Sequence, residues 1–197
     1  MKKKTDLRVL RTRSSIKNAF YTLMKEKKYN KITVQDIADK AFINRNTFYL
    51  HYLDKEDLLE KLSVECFSKL KESMDSYDES TSMESVNTEN LYGLTCFTFN
   101  ALLKDADFYE MILVGEGIPS LVLEFTNLIK KHMLSFGKDD IRYVYVEFVT
   151  SGVIGIMRYW IQNRNKYSVE EISKVLMTLY TNNMIELLVE PSGEILR

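Results

Sequence analysis

Between residues 44 and 55 the chain places Asn44, Arg45, Asn46, Thr47, Tyr49, Leu50, His51 and Lys55 in close succession. An arginine fork matches the two acceptors of guanine, an asparagine amide matches the edge of adenine, and tyrosine and histidine can hydrogen-bond phosphate oxygens. Lys55 stands beside the start of a later helix, where a cation and free backbone donors suit an anion. Lys17 and Thr33, on the preceding segments, could add phosphate contacts. On an isolated short helix the same side chains would be an ordinary solvated face, so their meaning depends on what holds them. Catalysis and metal chemistry find little support. His51 and His132 are the only histidines and Cys66 and Cys96 the only cysteines, and no motif sets a nucleophile beside a base. The chain is therefore expected to be no enzyme, to hold no metal and to need no cofactor.

The elements that must position these residues follow from apolar spacing. Ile16, Ala19, Phe20, Leu23 and Met24 form one stripe at helical period, ending near Lys27-Lys28-Tyr29-Asn30. Thr33 is an N-cap candidate, and Asp36 takes the acidic position of a capping box. The short helix that follows turns Val34, Ile37, Ala38 and Ala41 inward. Asn44 caps a third helix over about 45–52 that packs through Phe48 and Tyr52. Two short helices joined by a tight turn form a helix-turn-helix. Asp54 starts a fourth helix with Leu59, Leu62, Cys66, Leu70 and Met74 on its inner face. The polar run 77–90 reads as a mobile connection. Further helices are expected at about 91–105, 107–114, 118–135, 140–165 and 168–190, with Pro191 ending the last.

Two prolines and seven glycines in 197 residues, with no long alternating pattern, make the expected fold class all-α. Charge divides unevenly along the chain: residues 1–61 carry 15 Lys/Arg against 8 Asp/Glu, and residues 62–197 carry 12 against 20. A basic head on an acidic body suits a polyanion at the head. The two isolated cysteines suit a reducing compartment, and no apolar run follows the basic start. Tyr143 to Ile161, the most apolar later stretch, contains Glu147 and Arg158, so no membrane span is expected and the localisation reads as cytoplasmic.

The run Ile32-Thr33-Val34-Gln35-Asp36-Ile37-Ala38-Asp39-Lys40-Ala41-Phe42-Ile43-Asn44-Arg45-Asn46-Thr47-Phe48-Tyr49-Leu50-His51-Tyr52, followed by Lys55-Glu56-Asp57, resembles the DNA-binding signature of the TetR/AcrR family. The likeness covers about a third of the chain. Its turn glycine is Phe42 here, which implies either strain of about 1–3 kcal/mol or a slightly different turn. Gly152 to Trp160 is similar to the penultimate helix of a subgroup common in Firmicutes. The resemblance implies a helix-turn-helix domain over 1–55 and a helical effector-binding and dimerisation domain over 56–197. It also implies a homodimer joined through its last two helices, with Gly152, Gly155, Tyr159, Leu176 and Leu179 at the interface.

On this reading the protein is a ligand-responsive regulator, a repressor on a palindromic double-stranded operator. The aromatic and sulfur-bearing side chains Tyr92, Cys96, Phe97, Met111, Phe125, Tyr145 and Phe148 are the candidates for a pocket holding an apolar or aromatic small molecule. A co-regulator of the same fold without its own DNA site is the alternative.

Overall fold

The apolar stripe of the first segment is buried: Ile16, Ala19, Phe20 and Leu23 all lie inside α1, Leu7–Glu26, in the computed structural model. The structure describes residues 7–81, 88–114, 118–134 and 140–181. A single 3₁₀ turn, Tyr29–Lys31, leads to α2 (Val34–Lys40) and α3 (Arg45–Tyr49). The body consists of α4 (Lys55–Thr81), α5 (Thr88–Lys104), α6 (Ala106–Leu113), α7 (Pro119–Leu134), α8 (Asp140–Gln162) and α9 (Val169–Thr181). Every regular element among the described residues is helical, so the fold is all-α.

In the head, α2 and α3 are held against α1 and the start of α4 by Phe20, Ile37, Phe48 and Leu58, none of which is exposed. Asp54 starts α4 by accepting the Asp57 backbone N–H at 2.7 Å. In the body, α4 packs on α5 and α7, α5 on α9, and α7 on α8. Its core is aromatic. Phe67 stacks on Phe125 at 6.1 Å, and Phe99 meets the Trp160 ring edge-on at 4.8 Å. Trp160 is fully enclosed because its indole N–H finds a partner, the Tyr167 carbonyl at 3.0 Å. Ser168 and Glu171 form a capping box that starts α9.

Several boundaries differ from the sequence reading. Helix α3 ends at Tyr49, not Tyr52. Helix α4 continues through the polar segment to Thr81, and α5 already begins at Thr88. Tyr77 explains part of the extension. Its ring lies 5.5 Å from Phe97, its hydroxyl donates to the Asn90 carbonyl, and it occupies the space where a Cβ on Gly93 would stand. The remainder of the expected 77–90 connection, and of the last helix beyond 181 with Pro191, lies outside the described residues. None of the described helices is long and apolar enough to cross a membrane.

Head and body meet along α1 and α6. Lys25 of α1 lies 3.3 Å from Asp107 and 3.1 Å from Glu110, and Glu110 also accepts from Arg164 just beyond α8 at 3.0 Å. Asp105 faces Lys17 at 3.8 Å and Lys69 at 3.3 Å, linking α1 to α4 through the α5–α6 corner. Each pair is partly solvated and worth little alone. Together they line the contact between head and body.

Candidate nucleic-acid interface

Local capping shapes the interface. The Thr33 hydroxyl accepts the Asp36 backbone N–H at 3.1 Å while the Asp36 carboxylate accepts the Thr33 backbone N–H at 2.7 Å, which completes a capping box at α2. Hydrogen bonds from Lys27, then from Thr33, hold the Asp36 carboxyl down to about 2. Helix α2 ends when the Ile43 N–H turns back to the Ala38 carbonyl at 3.0 Å and the Phe42 N–H to the Asp39 carbonyl at 3.1 Å. This is the Schellman closure, which needs a left-handed residue between its two bonds. Phe42 supplies it at φ 55°. The usual turn geometry is therefore kept with a non-glycine residue, and the Phe42 backbone carries the strain.

Asn44 then caps α3, its side-chain oxygen accepting the Asn46 N–H at 2.8 Å. Phe48 points inward and touches the Tyr49 and Tyr52 rings at 5.8 and 5.7 Å. The opposite face carries Arg45, Asn46, Tyr49 and Leu50, all exposed. The Arg45 guanidinium donates to the Tyr49 hydroxyl through Nε at 3.1 Å and Nη2 at 2.9 Å. A fork that would otherwise sample many rotamers is thus aligned along the helix. Thr47 and His51 are half-buried at the rim. Burial, then the charge of Arg13, lowers the His51 pKa and disfavours the charged ring.

Two residues expected at the phosphates are engaged elsewhere. The Lys55 ammonium donates to the Tyr29 and Ile32 carbonyls and lies 4.5 Å from the centre of the Tyr29 ring, so it fastens α4 beneath the α1–α2 connection. Lys17 faces the body at Asp105. Sequence could not separate these roles, because the partners come from folding and not from spacing. For the same reason no local pattern marks Lys25, Glu110 and Arg164: the contacts that join them span 85 and 54 positions.

The pocket candidates are dispersed. Phe125 lies in the core between Phe67 and Tyr109, and Met111 is also buried. Phe97 borders a cleft of about 390 Å³ between α4 and α5, floored by Cys66, Leu70 and Ala101 and edged by Lys69 and Lys104. Burial drives the Cys66 thiol up to about 12, which keeps it protonated and unreactive. Tyr92, Cys96 and Tyr145 are half-buried. Phe148 points outward, 66% exposed, because the inner face of α8 there belongs to Val146, Val149 and Thr150. Among the interface candidates Gly152, Gly155, Tyr159 and Leu179 are open, whereas Leu176 is buried on the inner face of α9.

A capped two-helix unit with an outward recognition face, carried on a helical body, defines a helix-turn-helix regulator of transcription. The comparisons agree. The model of the bacterial regulatory proteins of the tetR family matches residues 18–62, and that of a TetR-type transcriptional regulator C-terminal region matches residues 89–182. The chain belongs to the TetR family of DNA-binding transcriptional regulators, which are not enzymes. It is 24% identical over 176 residues to the uncharacterised helix-turn-helix transcriptional regulator YxbF of Bacillus subtilis, covering 87% of this chain and 45% of that protein. The chain thus spans about half the length of this curated relative. Among solved structures, a TetR transcriptional regulator from Streptococcus agalactiae aligns with 26% identity and a TM-score of 0.59, over 88% of this chain and 96% of that one. The FadR regulator of Bacillus subtilis, solved with stearoyl-CoA, shares the fold at 19% identity and a TM-score of 0.53, over 90% of this chain and 97% of that one.

Proposed function

We propose that this protein is a ligand-responsive repressor that binds a near-palindromic operator as a homodimer, with residues 1–55 reading DNA and 56–197 sensing and dimerising. The exposed Arg45–Tyr49 pair carries the reading. It is polar, aligned along α3 and directed away from the core that fixes the helix. Arg45 reads a base in the major groove, with Asn46 beside it, and Tyr49 and His51 meet the backbone. Asn44, Thr47 and Thr33 frame the same surface.

Dimerisation is supported by an apolar face left open on the last two helices. Val144, Phe148 and Tyr159 on α8 and Val175 and Leu179 on α9 are each about half exposed or more, and Gly152 and Gly155 give the same side of α8 a flat centre. The effector is an apolar or aromatic small molecule. The stearoyl chain of the acyl-CoA in the FadR neighbour is apolar, which is consistent with this reading. The ligand acts by favouring a dimer geometry in which the two recognition helices no longer fit successive major grooves.

Fluorescence anisotropy on operator and scrambled duplexes at several salt concentrations tests the reading. Arg45→Ala costs about 1–3 kcal/mol on the operator and relaxes one position in each half-site, with little change on scrambled DNA. Wild-type affinity that ignores both sequence and salt would refute it and favour a co-regulator without its own DNA site.

A further inference from the structure

Phe42 combines two features that stability alone does not explain. Its backbone is left-handed at φ 55°, a conformation an aromatic residue takes only at some free-energy cost, and its side chain is 95% exposed. A strained residue is ordinarily compensated by its contacts, yet among the described residues this ring is left almost wholly open. The turn itself does not require phenylalanine, because the two Schellman bonds use only backbone atoms and Ile43 supplies the apolar contact behind them. Glycine would fill the position with less strain.

The location is what gives the ring a use. Phe42 precedes the N-cap Asn44 by two residues, and recognition helices present their N-terminal residues to base edges. At the other end of α3, Leu50 is 82% exposed. The polar Arg45, Asn46 and Tyr49 are therefore bracketed by two large apolar side chains on the surface that approaches DNA. In the major groove one base feature rewards an apolar side chain, the C5-methyl group of thymine.

We propose that Phe42 is a specificity-determining residue whose ring covers a thymine methyl in each operator half-site, just outside the bases read by Arg45. The inference rests on the DNA-binding reading above. It makes the operator more demanding than the polar residues alone would, since losing one methyl exposes ring and base together. Phe42→Gly removes the reader and also relaxes the turn, so the variant folds at least as well as the wild type.

The probe is a duplex selected by the full-length chain from random-sequence DNA, then resynthesised with deoxyuridine replacing each thymine in turn. Wild type is expected to lose about fourfold in affinity, the value of one buried methyl, at one thymine per half-site. Phe42→Gly should bind the parent duplex with the same deficit and be indifferent to uracil at that position, while remaining sensitive at any thymine met by Leu50. If wild type binds but tolerates uracil everywhere, or if Phe42→Gly keeps the same uracil penalty, the assignment to Phe42 is wrong and the DNA-binding reading survives. If the chain selects no sequence at all, both fall.

Discussion

The Lys55 ammonium donates to the Ile32 carbonyl at 3.0 Å, tying the first residue of α4 to the chain just ahead of α2. A cation expected to meet phosphate is instead a fastening inside the head. Only 16% of its side chain is exposed. Lys55→Met keeps the stem and removes the charge, leaving the Tyr29 and Ile32 carbonyls without this donor. Urea denaturation should show a loss of about 1.5–3 kcal/mol, the range for a hydrogen bond to a charged group. The dependence of DNA affinity on salt should be unchanged. A slope lower by about one unit would return Lys55 to the phosphate backbone.

Tyr49 matters through Arg45 as well as through DNA. Tyr49→Phe removes the oxygen that accepts both guanidinium bonds but leaves every charge in place. Operator affinity should fall by about 0.5–1.5 kcal/mol, more than affinity for scrambled DNA, at an unaltered salt slope. Equal losses on both duplexes would make Tyr49 a backbone contact only.

The capping box of α2 is sensitive to acid. Because the folded-state pKa of Asp36 is lowered to about 2, first by Lys27 and then by Thr33, its contribution is present above the ordinary carboxylate pKa and is lost as pH falls through about 2. Asp36→Asn should therefore melt below wild type at pH 7, with the two converging between about pH 4 and 2. Thr33→Ala, which removes the other half of the box, should cost about 1 kcal/mol at neutral pH. A melting difference for Asp36→Asn that is independent of pH would mean that the charge is irrelevant to the cap.

Gly155 tests assembly without disturbing the subunit. A Cβ built there meets nothing within 4 Å, so Gly155→Leu fits the isolated chain and also favours helix. If α8 is the seam between subunits, analytical ultracentrifugation at micromolar concentration should show a dimer for wild type and a shift toward monomer for the variant, with helicity retained. Phe148→Glu should act the same way through burial of an unpaired charge. A wild-type monomer, or a Gly155→Leu dimer as tight as wild type, would exclude this seam.

What could be read from the sequence was what is encoded locally. The stripe of α1, the Thr33–Asp36 box, the Asn44 cap and the inward Phe48 each depend on neighbours within four residues, and each stands where the spacing put it. The directions of Lys17 and Lys55 were not legible, because a lysine beside a helix start looks the same whether its partner is a phosphate or a distant carbonyl. Leu176 and Leu179 make the same point on α9. Both suit an apolar stripe, but only the position of α5 decides that the first is covered and the second is open. Polar composition misled from Tyr77 to Thr81, where α4 continues and the Tyr77 ring against Phe97 accounts for part of the extension.

Helix α4 is one unbroken rod of 27 residues from the head into the body, about 40 Å long at 1.5 Å per residue. Such a rod is a lever. Pivoting about its far end by roughly 5° carries Lys55, and the head fastened to it, through about 3.5 Å, the rise of one base-pair step. In the proposed dimer the displacements of the two heads would add, changing the half-site spacing they match by about two steps. Lys17 and Lys25 bind Asp105, Asp107 and Glu110 at 3.1–3.8 Å, so a pivot of that size would have to break these ion pairs. On the proposed reading the α1–α6 contact is therefore what holds the recognition helices in register with an operator.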